Sequence, residues 1–337
     1  MPFPETKYMG SKRAILPFLL EHLKMLHFAS AMDAFSGSGC VAYAMKLLGK
    51  RVIANDFHNF AFHIANASIQ NSSQTLTQDD LAKLLQRNRE AGTFVRDTYS
   101  GLYFPEEDCE FIDNTRANID LLPTEAQRSL AIASLCRACM KKRPRGIFTF
   151  VGSKGWDGRR DLRISMQQQF IEAVQLFNAA VFSNRRKNRA TCLDVFATSP
   201  KGIDLIYIDP PYISPHSDCD YTRRYHFVEG LCTYWKGLTL QDNTVTRKFA
   251  SYPTDFKSAQ GAEAAFTKLF SHFQSSILVV SYGSNGVPDR DGVVRLMRQF
   301  KRHVQVYHTD HKYCFGNHAH RIGRNNNSVS EFLFIGT

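Results

Sequence analysis

No stretch of this 337-residue chain stays apolar for the length of a membrane span. Its opening, Met1-Pro2-Phe3-Pro4-Glu5, lacks the basic-then-apolar order of a secretory signal. The sequence therefore reads as a soluble, cytoplasmic protein with no membrane partner. Cysteine is sparse: eight residues lie scattered, with only Cys136 and Cys139 close together. That pattern excludes a secreted disulfide framework and a paired zinc motif, so the thiols are expected to be reduced, with the close pair packed on a helix. His308, His311, His318 and His320, even with Asp310 and Cys314 among them, complete no metal-ligand spacing, and no metal is expected. There is no internal repeat, no low-complexity run and no methionine stripe. What is present is ample apolar content, 43% of residues, enough to bury one large core or two smaller ones.

Charge is unevenly spread. The formal net charge is +11, and between Cys136 and Ala190 there are 13 Lys or Arg against three acids. From Asn71 to Leu135 the balance reverses, with 11 acids against six bases. A strongly polarised surface is expected. Clustered cations fit a phosphate-backbone partner or an ordinary solvated face, and charge alone does not separate the two.

The local patterns describe an α/β protein. A basic loop, Lys7 to Arg13, leads into an amphipathic helix over Ala14 to Met25, then a strand from Phe28 to Phe35. Cys40 to Leu48 has helical spacing ended by Gly49, and Arg51 to Asp56 is the next strand. This β-loop-α-β order opens a doubly wound parallel sheet. From Phe57 to Asn188 the strand signal fades into helical segments such as Leu76 to Glu90 and Thr124 to Met140, as an insertion would. Strands at Thr191 to Val195 and Asp204 to Asp209 resume the pattern. Helix Gly261 to Phe273, strand Ile277 to Ser281, helix Val293 to Phe300 and strands Gln305 to His308 and Glu331 to Ile335 follow, with a polar loop at Arg324 to Asn327.

Two motifs carry chemistry. In Asp33-Ala34-Phe35-Ser36-Gly37-Ser38-Gly39, two glycines stand where a strand turns sharply into a helix and backbone can approach a ligand. With Asp56 at the end of the next strand at the distance of a ribose acid, the loop fits a nicotinamide or flavin enzyme, or a tight turn that binds nothing. The second motif is Asp209-Pro210-Pro211-Tyr212, directly after the apolar run Asp204 to Ile208. Two prolines end the strand and leave a carboxylate, free carbonyls and an aromatic ring at the edge of a sheet. Hydride transfer has no evident need of such acceptors. An exocyclic amine does, because its lone pair is delocalised into the ring, and acceptors aimed at its hydrogens favour the state in which the nitrogen becomes positive. The Asp209 carboxylate and the Pro210 carbonyl could accept those hydrogens, with Tyr212 stacked on the base.

At this point the chain resembles the Dam-like, adenine-specific DNA methyltransferases that use S-adenosylmethionine. Tyr8-Met9-Gly10-Ser11-Lys12 is similar to the family's N-terminal cofactor motif, although Trp and a Gly-Gly pair are more usual there. Asp33 to Gly39 resembles the cofactor loop, Asp56 the ribose acid and Asp209 to Tyr212 the catalytic motif, all in the family's order along the chain. The resemblance implies a Rossmann-like class I methyltransferase fold: a seven-stranded mixed sheet built from residues 1–57 and 190–337, with a mainly helical target-recognition insert at 58–189. It implies cofactor contacts from Tyr8, Met9, Lys12, Asp33, Phe35, Gly37, Gly39, Asp56 and Asp209. Asp194 is a further cofactor candidate that also reads as a loop cap.

Double-stranded DNA is the implied partner. Lys141-Lys142-Arg143-Pro144-Arg145-Gly146 and Gly155-Trp156-Asp157-Gly158-Arg159-Arg160-Asp161 mix cations, aromatics and turn residues suited to phosphates and bases. Arg185 to Arg189 fits a solvated helix end equally well. Tyr221, Arg223 and Arg224, in Tyr221 to Phe227, resemble a segment that in this family holds a flipped base or its strand. The implied reaction is methylation of adenine N6 in DNA by a monomer, with a cognate restriction endonuclease as a companion. The alternatives are cytosine N4 methylation, RNA or protein-amide methylation, a non-catalytic DNA-binding protein that keeps the fold, and a dehydrogenase.

Overall fold

A computed structural model describes residues 3–152, 158–213, 220–256, 258–312 and 328–337. Outside them fall Gly155 to Asp157 of the second basic cluster, Cys314, His318 and His320, and the loop Arg324 to Asn327. The chain forms two compact units. One comprises Gly10–Phe57, Asn184–Tyr221 and Tyr252–Thr337, and the other Met1–Met9, His58–Ser183 and Thr222–Ser251.

The first unit holds a seven-stranded sheet: β1 (Ser30–Asp33), β2 (Arg51–Asp56), β3 (Arg189–Cys192), β4 (Leu205–Ile208), β5 (Ile277–Gly283), β6 (Val304–Lys312) and β7 (Ser328–Gly336). Their spatial order is β3-β2-β1-β4-β5-β7-β6. β1 lies parallel to β2 and β4, with Met32 opposite both Ile53 and Ile206. β4 runs parallel to β5 and β2 to β3, whereas β7 is antiparallel to both β5 and β6. All four residues of β4 are buried, as a strand covered on both faces requires. Ile206, Ile208, Leu278, Val280, Phe266 and Phe334 meet in one core.

Because β1 to β5 run the same way, their carboxyl ends share one edge of the sheet. Asp33 and Asp56 end β1 and β2, Asp209 follows β4, and Asp194 lies two residues past β3. The chain order reverses between β1 and β4, and open α/β sheets bind ligands outside such a switch point.

Several expected boundaries shift. The first helix is a 3-10 turn at Lys12–Ile15 followed by Leu16–Lys24, with Pro17 in the first turn, where its missing N–H costs nothing. β3 ends early because the Asp194 side chain accepts the N–H of Phe196 at 2.8 Å and starts a 3-10 turn. The helix expected to Glu90 stops at Leu85. There the Asn118 amide donates to the carbonyls of Leu84 and Gln86 at 3.1 and 2.7 Å, replacing the bonds that another turn would make. β6 and β7 are longer than expected because they pair with each other along nine residues each.

The second unit is built on helices. Glu125–Lys141 is its central helix, buried continuously from Ser129 to Met140, with Cys136 and Cys139 both inside. This unit does not keep to the expected 58–189: it also takes Thr222–Ser251. The helix Tyr221–Thr233 buries Tyr225, His226, Phe227, Val228 and Leu231, and Phe227 stacks on Phe148 at 4.8 Å, so the segment belongs with the helical core. Residues 1–9 join it too. The Lys7 ammonium donates to the carbonyls of Lys141 and Arg143 at 3.0 and 3.2 Å, at the negative end of the central helix.

Phe266 is fully buried between Phe256, Phe270 and Tyr282, with ring centroids at 5.8, 5.6 and 5.2 Å. Phe266→Ala is expected to destabilise the sheet unit by about 3–5 kcal/mol, read as a lower urea midpoint at an unchanged slope.

Candidate active site

In the sheet unit the glycine loop has the geometry its sequence requires. Gly37 and Gly39 sit at φ of 47° and 79°, the left-handed region that side chains other than glycine enter at a cost. The turn points the Gly37 N–H at Asp56, whose Oδ2 accepts it at 2.8 Å, and the Ser36 N–H at the carbonyl of Asn55, also 2.8 Å. β1, its loop and β2 are thereby locked together. Asp33, expected at the cofactor, lies instead beneath the loop: it is 2% exposed, and Oδ2 accepts the N–H of Ala42 in the first turn of helix Cys40–Leu47. Burial, with the negative Asp209 nearby, pushes its carboxyl well above the usual range.

Beside the loop is an open cleft, lined in part by Phe35, Phe57, Asp194, Phe196, Pro211 and Phe256. Asp194 caps a turn, as its loop reading has it, and also lies on the wall of the cleft. Asp56 lies between the cleft-lining Asn55 and Phe57. Asn55, Phe57 and Phe256 were not expected here. The signal for the first two was their position beside a strand-ending acid, whereas Phe256 follows a polar loop with no local sign.

The Asp-Pro-Pro-Tyr loop is held by groups from distant parts of the sequence. Lys12, 4% exposed, places its ammonium 2.8 Å from Asp209 Oδ1 and 3.6 Å from Glu331 Oε1. It also donates to the Gly10 carbonyl at 3.2 Å and stands 4.5 Å from the centre of the Tyr212 ring. The cation expected at the cofactor is thus shared between carboxylates. The Tyr212 hydroxyl donates to Glu331, and its ring meets Tyr282 edge-on at 4.9 Å. Ser281 donates to Glu331 Oε1 at 2.7 Å. The loop is fixed further on by the Val287 N–H, which donates to the Ile213 carbonyl at 2.8 Å. Burial raises the Asp209 carboxyl to about 6, against the pull of Lys12, and the Glu331 charge adds to the rise. Pro210 is buried and Pro211 lines the cleft. Tyr221 also lies in this unit, its hydroxyl close to Gly10.

The remaining candidates belong to the helical unit. Tyr8 stacks flat on Tyr225, with centroids 5.2 Å apart, and the Met9 N–H donates to the Tyr225 hydroxyl at 2.7 Å. Two expected DNA contacts are corrected. Lys142 is 5% exposed, pairs with Asp108 at 3.0 Å and donates to the Ile164 carbonyl at 2.9 Å. Arg143, 2% exposed, donates to the carbonyls of Tyr103, Gly152 and Phe150. Both are internal struts, because helix Glu125–Lys141 ends where they turn inward. Lys141 pairs with Asp161 at 3.2 Å, and Arg160 forks onto Glu172, so both cations are held by acids of the basic stretch itself. Arg145 and Arg223 are exposed, with the Arg145 guanidinium 5.4 Å from the ring of the exposed Phe150, while Arg159 and Arg224 are half-buried.

The strand order, the antiparallel β7, the glycine loop after β1 and the Asp-Pro-Pro-Tyr loop after β4 together define a Rossmann-like methyltransferase. Residues 8–283 match the D12 class N6 adenine-specific DNA methyltransferases, and the chain belongs to that family. It is similar to the Type II methyltransferase M2.HphI of Haemophilus parahaemolyticus, 27% identical over 330 residues that cover 92% of each chain. It is also 23% identical to the Type II methyltransferase M.CviAII of Paramecium bursaria Chlorella virus 1, covering 97% of each. Against the modification methylase StsI of Streptococcus sanguinis it is 23% identical, over 87% of this chain and 46% of that protein. The enzyme therefore methylates adenine N6 in DNA, and the family implies a methyl donor. Among the described residues, no helix is long and apolar enough to cross a membrane.

With Lys142 removed, Asp108 would be left as a buried charge without its cation. Lys142→Ala is expected to cost about 3–5 kcal/mol of stability, measured by denaturant unfolding. The DNA affinity of the folded fraction should remain near wild type.

Proposed function

We propose that the methyl donor is S-adenosylmethionine and that the enzyme methylates a specific site in double-stranded DNA, acting on an adenine turned out of the duplex. The observation that carries this reading is the Asp209 carboxylate, held 2.8 Å from Lys12 at the end of β4 in the same unit as the glycine loop and its cleft. The cleft suits the donor chemically. Phe35, Phe57 and Phe256 offer apolar faces to a nucleoside, and Asp194 offers an acceptor. Gly37, Gly39 and Asp56 would hold the ribose and the amino-acid part. When bound, S-adenosylmethionine supplies a methyl group activated by its sulfonium.

The chain's own residues then orient the amine. The Asp209 carboxylate and the Pro210 carbonyl accept the two N6 hydrogens, with attraction that grows as the nitrogen becomes positive in the transition state. Stacking on Tyr212 would hold the base plane, and turning the base out of the duplex costs a few kcal/mol that such contacts must offset. The helical unit serves as the target-recognition domain, with Lys141, Arg145, Arg159, Arg160, Arg223 and Arg224 as phosphate or base contacts. A cognate restriction endonuclease is the companion this reading includes. A monomer working in the compartment that holds the DNA, the cytoplasm of a prokaryotic or viral setting, fits this role.

Asp209→Asn is expected to lower kcat by about 100-fold or more while leaving DNA binding near wild type. The assay uses labelled S-adenosylmethionine and DNA, digested to nucleosides. Label in N4-methylcytosine, or wild-type turnover by the mutant, overturns the reading. Because the acceptor must be ionised, wild-type kcat should fall as the pH drops through about 6 and hold its value above it.

A further inference from the structure

Glu331 was absent from every sequence-based expectation of the site, yet it is among its most buried charges, 1% exposed. It arrives on β7, opposite Gly283 of β5 and Thr309 of β6. Oε1 accepts hydrogen bonds from the Ser281 and Tyr212 hydroxyls and lies 3.6 Å from the Lys12 ammonium. One ammonium thus faces two carboxylates. If Lys12 met Asp209 alone, the pair would be neutral, and the carboxylate would be spent on the lysine and weakened as an acceptor for a developing cation. A second carboxylate divides the lysine's attraction and leaves the cluster with a net negative charge.

We propose that Glu331 is a positioning residue for methyl transfer, fixing the Tyr212 hydroxyl and drawing on the Lys12 ammonium so that Asp209 keeps uncompensated negative charge for the target amine. The inference rests on the reading of Asp209 as the amine acceptor. It also accounts for the depth of Glu331, since a buried carboxylate is costly unless it is paired and hydrogen-bonded. The titratable groups around Asp209 are Lys12, Glu331 and Tyr212, with Asp33 on the neighbouring β1 and Tyr207 on β4 itself. Among these Glu331 adds to the rise of the Asp209 carboxyl, so neutralising it should bring that carboxyl down.

The test is steady-state kinetics of Glu331→Gln, which keeps an acceptor for both hydroxyls and removes the charge. The expected result is a kcat lower by about tenfold or more, KM for DNA within about twofold, and an acid limb of kcat moved to lower pH. Ser281→Ala, which removes one bond to Glu331 and leaves the Asp-Pro-Pro-Tyr loop intact, should lower kcat by about threefold with KM unchanged, and it carries the test if the first variant does not fold. Wild-type kcat in either variant, or a loss of kcat in Glu331→Gln with an unmoved acid limb, overturns the proposal. Asp209→Asn measured in parallel separates the two failures. An active Asp209→Asn sinks the acceptor reading itself, whereas an inactive one beside a fully active Glu331→Gln sinks only the role of Glu331.

Discussion

Lys12 is the point on which the carboxyl edge of the sheet balances. Parallel strands deliver acidic residues to one edge, and the antiparallel β7 adds Glu331 to the group around Asp209. Carboxylates crowded together and drawn out of water would protonate or repel one another without a cation among them. The Lys12 ammonium answers that constraint from a 3-10 turn before the first helix, far in sequence from every carboxylate it touches. Much of the local architecture then follows: the loop after β4 is held through its own Tyr212, between Lys12 and Tyr282, and Glu331 can stay buried.

The parts of this design that depend on neighbours in sequence were legible. An apolar run ended by two prolines, and a Gly-Ser-Gly turn between a strand and a helix, are local devices whose backbone demands leave few alternatives. They located β1, β4 and the loop geometry that ties Gly37 to Asp56. What depended on register was not legible. Glu331 begins an apolar segment, Phe332 to Ile335, and looks like a polar strand end. Only its pairing inside β7, between β5 and β6, turns it toward Lys12. Asp33 misled in the opposite sense. Its place beside the glycines suggests a ligand contact, but the first turn of the following helix takes up its carboxylate.

Charge in the helical unit teaches a related lesson. The basic and acidic stretches adjoin in sequence, and composition suggests a surface divided by sign. Folding sets Lys142 on Asp108 across that division, pairs Lys141 and Arg160 with Asp161 and Glu172 inside the basic stretch, and encloses Arg143 in backbone carbonyls. A run such as Lys141 to Arg145 is therefore several environments, decided by where the central helix stops. The cations at its end that stay exposed, Arg145 above all, stand out because their neighbours have been withdrawn.

The position of β7 in the chain bears on the order in which the enzyme is made. β7 is the last of the seven strands in sequence but inserts between β5 and β6. At about 5–20 residues per second, a growing chain carries the glycine loop and the Asp-Pro-Pro-Tyr loop for several seconds before Glu331 emerges. During that interval Lys12 has only one of its two carboxylate partners available, and β5 lacks its antiparallel neighbour. The charge cluster around Asp209 is thus completed by the strand that arrives last, so a nascent chain still lacking β7 holds the recognisable motifs without it.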